Sequence, residues 1–246
     1  MTVEIIKGTK RTSSAQRVIC RMGLPYKRLL LLPIPTTRDG VTVNGTDVTL
    51  ESLACDVDSD VAVCGYGLPS WFCERILALG GVVCDAMYDE EFQKKNAELT
   101  ALGALGDIIS QKERAPADVR FGIIGYGRIG SALLKYLSFL GASPIVFTRR
   151  ESVCKSLGAW GIDSSLSMTL EDLMAVDVLI NTSPMQITDA FGAMALYNAG
   201  VAVFDLASGE NFGHCESVKR LPGIPDKVFP ESAGAAYAEA ICRALA

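Results

Sequence analysis

The chain carries a single histidine, His214, and no two of its eight cysteines form a C-x-x-C pair. Zinc modules built from Cys and His need spacing of that kind, so no metal is expected. No apolar run approaches the ~20 residues of a membrane-spanning helix. The densest, Leu29–Leu32, is followed at once by Pro33. A basic excess is missing too: 23 lysines and arginines stand against 28 acidic residues, a net charge of −5. Neither a nucleic-acid nor a membrane partner is expected from that balance. The N-terminus lacks the basic, apolar and small-residue zones of a secretory leader. Thiols scattered through such a chain are expected to stay reduced, which points to the cytoplasm. Cys64 and Cys84 fall in apolar runs, where cysteine acts as a small hydrophobe.

What is present is enough to build a core. The 246 residues are 49% hydrophobic and 21% charged, a length that allows one to two domains. Near-continuous apolar runs predict strands at Val3–Ile6, Arg28–Ile34, Val61–Cys64, Val82–Cys84, Phe121–Ile124, Ile145–Thr148, Val178–Asn181 and Val201–Leu206. Helical patterns alternate with them at Ser14–Met22, Ser70–Leu79, Glu90–Lys112, Arg128–Leu140 and Ser232–Ala246. Gly23, Gly80 and Gly141 stand as stops just beyond three of these helices. The turn signals Asp39-Gly40 and Asn44-Gly45 make Arg38–Val48 a surface hairpin or turn-rich loop. Strands alternating with helices predict an α/β fold with mostly parallel sheets. The expected organisation is an N-terminal α/β domain (1–95), a connecting helix and linker (96–118), a second α/β domain (119–230) and a C-terminal helix (231–246) crossing back onto the first domain.

A G-x-G-x-x-G motif stands at Gly125, Gly127 and Gly130, after a predicted strand and at the opening of a predicted helix. In that context it reads as the phosphate turn of a dinucleotide-binding, Rossmann-type unit. Gly125 serves the tight turn, Gly127 the approach of a pyrophosphate, and Gly130 close helix–strand packing. Tyr126, Arg128 and Ile129 complete the turn. At the end of the next strand, NAD sites usually carry an acid for the ribose hydroxyls. Thr148-Arg149-Arg150 stands there instead, and two guanidiniums suit the 2′-phosphate of NADP(H). Glu151 is an alternative ribose partner. Two further loops follow strands at the expected ligand edge. Asn181, Thr182, Ser183 and Pro184 form one, Ala207 and Ser208 the other. Loop capping is the competing role for Asn181 and Asp205.

Taken as an ordered set, these stretches resemble a known family, the dipicolinate synthase A subunits of spore-forming bacteria. The resemblance spans roughly residues 28–246 and rests on Leu30–Pro35, Asn96-x-x-x-Thr100-x-x-Gly103, Gly125–Gly130, Asn181–Pro184, Asp205–Ser208, Leu221–Ile224 and Ser232–Gly234. Leu99, Leu102 and the segment Ser208–Val218 depart from the family pattern. The resemblance implies two Rossmann-like domains with NADP on the second. It also implies dehydrogenation of a dihydrodipicolinate precursor to dipicolinate during sporulation, with a partner, the flavoprotein-like B subunit. A homo-oligomer is compatible with it.

A dicarboxylate substrate needs cations, hydroxyls or amides to hold it. Arg38, with Thr36 and Thr37, follows a strand of the first domain, and Asn96 and Thr100 share one helix face at i, i+4. These three, Arg38, Asn96 and Thr100, are the candidate catalytic residues, with solvated loop or helix-surface roles as the alternative. His214 lies in a glycine-rich polar stretch and reads as a surface residue rather than an acid–base group. Two other functions remain open on the sequence: an NAD(P)-dependent 2-hydroxyacid-type dehydrogenase, and a non-catalytic nucleotide-binding partner subunit.

Overall fold

Successive leucines at 29–32 are fully buried, and they can be so only if both faces of their sheet are covered. In the computed structural model, which describes residues 1–245, the chain begins β1 (Thr2–Ile5), α1 (Lys10–Met22), β2 (Arg28–Leu31), α2 (Leu50–Ala54), β3 (Val61–Gly65), α3 (Ser70–Ala78), β4 (Val82–Asp85) and α4 (Glu90–Ser110). It continues β5 (Phe121–Ile124), α5 (Arg128–Phe139), β6 (Ile145–Phe147), α6 (Glu151–Ala159), β7 (Ser164–Ser165), α7 (Leu170–Met174), β8 (Val178–Asn181) and α8 (Ala190–Asn198). It closes with β9 (Ala202–Asp205), β10 (Lys219–Arg220), α9 (Ile224–Val228) and α10 (Pro230–Leu245). Two units result. Unit 1 is Met1–Asn96 with Pro225–Ala246, and unit 2 is Ala97–Ile224, so the boundary falls inside the long helix α4.

In unit 1 the sheet order is β1-β2-β3-β4, all parallel. Leu29 and Leu31 face one side with Ala62 and Cys64, under α1 and α10. Leu30 and Leu32 face the other with Val61 and Val63, under α2 and α3. Each such leucine contributes roughly 1.5–3 kcal/mol by leaving water. β2 is shorter than its apolar run, since Pro33 has no N–H to continue the ladder. Helix α1 starts four residues earlier than periodicity indicates. Thr9 and Thr12 cap it reciprocally: Thr12 N donates to Thr9 Oγ1 at 3.1 Å, and Thr9 N to Thr12 Oγ1 at 2.8 Å. Its first turns bury Arg11, Thr12, Ser14 and Ala15 rather than large apolar groups. They lie against α10, where a side chain on Gly234 would come within 2.5 Å of Ser14 Cβ and 2.6 Å of the Arg11 carbonyl. The C-terminal helix thus completes the first unit.

Unit 2 orders its strands β10-β9-β8-β5-β6-β7, again all parallel. The chain runs outward from β5 through β6 to β7, returns to β8 beside β5, and runs outward the other way. The order therefore reverses between β5 and β8, and a crevice opens at the carboxyl ends of these two strands. Phe121, Ile123, Val178 and Ile180 pack under α4 and α5. Ile124, Phe147, Leu179 and Val203 pack on the opposite side under α7 and α8, with Phe212. Among the described residues no helix is long and apolar enough to cross a membrane, and no cluster of His, Cys, Asp and Glu is placed to hold a metal.

Candidate functional site

The crevice of unit 2 is a cavity of about 530 Å³. Three chain segments frame it: the turn Gly125–Gly127 after β5, Thr148–Arg150 after β6, and Thr182–Ile187 after β8, with Ile124, Phe147 and Met168 behind them. The turn is shaped by its glycines. Gly125 has φ 92°, a conformation that side-chain-bearing residues rarely adopt. A methyl group on Gly130 would come within 2.2 Å of the Gly125 carbonyl, so this glycine lets α5 close down on the turn. A methyl on Gly127 would meet nothing within 4 Å. Gly127 also N-caps α5 and has no side chain to satisfy the helix's first N–H groups. Open space in front of a bare backbone at a helix N-terminus is what the diphosphate of a dinucleotide requires, and the residues present fit that group.

Hydrogen bonds brace the frame. Gly125 N donates to the Phe147 carbonyl at 2.9 Å, and the Thr182 hydroxyl donates to the Ile124 carbonyl at 2.9 Å. Thr148 is buried, and its hydroxyl accepts from Arg150 N at 3.3 Å. The Arg150 guanidinium donates to the Tyr126 carbonyl, tying the β6 loop to the glycine turn, and Arg149 lies against the Met185 sulfur. Both arginines are exposed on the cavity wall.

Of the residues assigned to cofactor binding from sequence, Gly125, Tyr126, Gly127, Thr148, Arg149, Arg150, Thr182, Ser183 and Pro184 line the cavity. Arg128 and Ile129 belong to the first turn of α5 without lining it, and Gly130 acts through packing. Asn181 is fully buried beneath the site. Its amide nitrogen donates to Asp205 Oδ1 at 2.8 Å and to the Ser183 carbonyl at 2.9 Å, and its oxygen accepts from Ser183 N at 3.0 Å. Ala207 and Ser208 stand off the cavity wall. Ala207 N donates to Asp205 Oδ1 at 3.2 Å, and the Ser208 carbonyl accepts from Asn211.

Asn211 and several apolar wall residues were not found from sequence. Asn211 is 2% exposed and donates to both Asp205 oxygens, at 3.3 and 3.1 Å. Its carbonyl accepts from Ile187 N at 2.7 Å. It thereby joins the loop after β9 to the loop after β8. The signal was there in Phe212, an apolar side chain inside a polar stretch. The segment around it is not wholly surface: Phe212 is fully buried, whereas His214 is exposed with Glu210 at 3.0 Å.

The candidate substrate-holding residues fall elsewhere. Arg38 is exposed in unit 1, in a loop organised by Asp39, which accepts from Thr37 Oγ1, Val41 N and both Thr42 donors. These bonds, led by those from Thr42, hold the Asp39 carboxyl far below its ordinary range. Thr36 is buried, donating to the Pro33 carbonyl at 3.2 Å and accepting from Tyr66 N at 2.8 Å. The hydroxyls of Thr36 and Thr37 are thus engaged within unit 1. Asn96 is half-buried and Thr100 buried, one turn apart on α4.

No family model and no curated protein sequence matches the chain. Solved structures do match it. The dipicolinate synthase A subunit from Bacillus halodurans is 22% identical with a TM-score of 0.79, over 99% of this chain and 97% of that one. The A chain of dipicolinate synthase from Bacillus subtilis is 16% identical with a TM-score of 0.76, over 98% and 94%. A transhydrogenase from Sinorhizobium meliloti is 14% identical with a TM-score of 0.65, over 98% and 92%. The chain therefore has, end to end, the two-unit α/β fold of the dipicolinate synthase A subunit.

Proposed function

We propose that this chain is an NADP-dependent dehydrogenase of the dipicolinate synthase type, equivalent to the A subunit, converting a dihydrodipicolinate to dipicolinate. The observation that carries the reading is the glycine turn Gly125–Gly130 opening on a cavity walled by Thr148, Arg149 and Arg150. The Gly127 backbone and the N-terminus of α5 receive the diphosphate. Arg149 and Arg150 offer charge-assisted bonds to a 2′-phosphate where an acidic side chain would repel it. Thr182 and Ser183 line the wall beyond the glycine turn. A bound NADP would supply the acceptor for the hydride leaving the dihydropyridine ring, and the ring proton would pass to water. The product is aromatic, so a strong general base is not required, and the task of the protein is positioning. The fold shared with two proteins bearing that name supports the substrate. The exposure of His214, 84% for its side chain, weighs against a histidine-centred hydroxyacid dehydrogenase. The reading carries with it a cytoplasmic setting during sporulation and a B-subunit partner.

The test is ultraviolet detection of dipicolinate from a dihydrodipicolinate-generating mixture with NADP and the purified chain, with and without a candidate B subunit. NADP-dependent product that requires the chain is expected. Absence of product in both conditions, with NADPH binding intact, overturns the enzymatic reading and leaves a nucleotide-binding partner protein.

A further inference from the structure

Among the described residues Arg11 is the only buried lysine or arginine, 4% exposed in the first turn of α1. Its Nε has no hydrogen-bond partner. The one ion pair it makes is with Asp226, at 3.9 Å, beyond hydrogen-bond reach. That same carboxylate oxygen already accepts from Arg11 N and from the Thr9 hydroxyl, both at 3.0 Å. Asp226 therefore closes the start of the helix and meets the guanidinium only at ion-pair distance, without a hydrogen bond. Burying a charge without full pairing is costly, and a fold retains such a group only where something offsets the cost.

The position says what that is. Helix α1 follows β1 directly, so Arg11 stands at the carboxyl edge of a parallel sheet, the edge at which such sheets take ligands. Thr36 after β2 and Tyr66 after β3 share that edge and bond to each other, Thr36 N to the Tyr66 carbonyl at 3.0 Å. Tyr66, Phe92 and Tyr237 form an aromatic group there, with ring centroids 6.0 and 5.8 Å apart. Burial lowers the Arg11 pKa from its ordinary value, while Asp226, Tyr237 and Tyr66 act in the opposite sense. A planar guanidinium with a vacant donor matches a carboxylate, which it can take in bidentate fashion.

We propose that Arg11 anchors a carboxylate of a small organic acid at the carboxyl edge of the unit 1 sheet, the role that sequence alone assigned to Arg38. The identity of the acid rests on the function proposed above; the anchor does not. The full chain, with Arg11→Met and Arg11→Lys, is titrated calorimetrically with pyridine-2,6-dicarboxylate, its neutral diamide, pyruvate and lactate. NADPH titration and thermal unfolding are run on the same samples. Pyridine-2,6-dicarboxylate should bind the unmutated chain and the diamide should not. Arg11→Met should weaken the acid on the order of 10²-fold, with Arg11→Lys between the two. NADPH affinity should stay unchanged, and the melting temperature of Arg11→Met should hold or rise, since an underpaired buried charge is gone. Equal affinity for the dicarboxylate in all three proteins overturns the anchor and leaves the proposed function standing. Arg11-dependent binding of pyruvate or lactate alone keeps the anchor and overturns the dipicolinate reading. Failure of every acid to bind the unmutated chain overturns the anchor. So does a much lower melting temperature in Arg11→Met together with normal binding by Arg11→Lys, which marks a structural arginine.

Discussion

The two units begin alike and finish their first strand-to-helix turn in opposite ways. In unit 2, β5 leads through bare glycines into α5, whose N-terminus has no side-chain cap and faces open space at Gly127. In unit 1, β1 leads into α1, whose N-terminus is closed by Thr9, Thr12 and the Asp226 carboxylate. One turn keeps its backbone donors for an incoming anion. The other satisfies them internally and presents a buried guanidinium instead. As proposed, the same topological position serves a phosphate through the main chain in one unit and a carboxylate through a side chain in the other.

The strongest test of this contrast is Gly127→Val. Gly127 has extended backbone angles that any residue adopts, so the fold should survive while a β-branched side chain fills the diphosphate space. NADPH affinity should fall by 10²-fold or more, on the order expected when phosphate contacts are lost, with circular dichroism unchanged. Retained affinity in a folded variant would move the phosphate site away from this turn. Next in size is the double variant Arg149→Ala with Arg150→Ala. Two charge-assisted bonds of about 1.5–3 kcal/mol each make a preference for NADPH over NADH that should shrink by about 10²-fold or more. Equal affinity for both cofactors in the unmutated chain would refute the assignment of these arginines.

A third test addresses the opposite edge of the unit 2 sheet. Asp177 accepts from the Arg120 guanidinium at 3.1 Å and from Arg120 N at 2.9 Å, and pairs with Arg114 at 3.2 Å, which lowers its carboxyl pKa from 3.8 to about 2. A depressed folded-state value stabilises the fold above the unfolded-state value, and the gain is lost as pH falls from about 4 towards 2. Both arginines are more than half exposed, which discounts the gain to about 1–2 kcal/mol. Asp177→Asn should lower unfolding free energy by that amount at pH 7 and by little at pH 2, without affecting cofactor affinity. Equal destabilisation at both pH values would show that the carboxylate's charge is not what matters.

Thr9→Ala removes the unit 1 cap and should cost about 1 kcal/mol of stability, read by denaturant unfolding, with NADPH binding unchanged. The smallest effect is expected for His214→Ala, with turnover within a few-fold of the parent. Acid–base catalysis by a positioned residue is typically worth about 10²–10⁴-fold, so a loss of that size would restore the hydroxyacid-dehydrogenase reading.

The glycine turn and the strands around it are legible because their constraints are local. Gly125 needs a positive φ, and apolar runs flanked by glycine stops mark buried parallel strands whatever surrounds them. The short elements β7, β10, α2 and α7 carry too few residues to show a period. The sequence predicts α1 too short because Arg11 and Thr12 look like surface residues until α10 is laid across this part of the helix, 217 positions away at the Ser14–Glu231 bond. For Asn181 the sequence leaves a ligand role and a loop cap open; its full burial, with bonds to Asp205 and Ser183, depends on a neighbouring strand and its loop. Arg38 and Arg11 make the same point from opposite sides. Composition cannot tell an exposed guanidinium from a buried one, since burial depends on which distant segments fold over it. Local backbone chemistry, then, was written in the residues themselves; the environment of each polar side chain existed only once non-local segments had closed around it and removed the water.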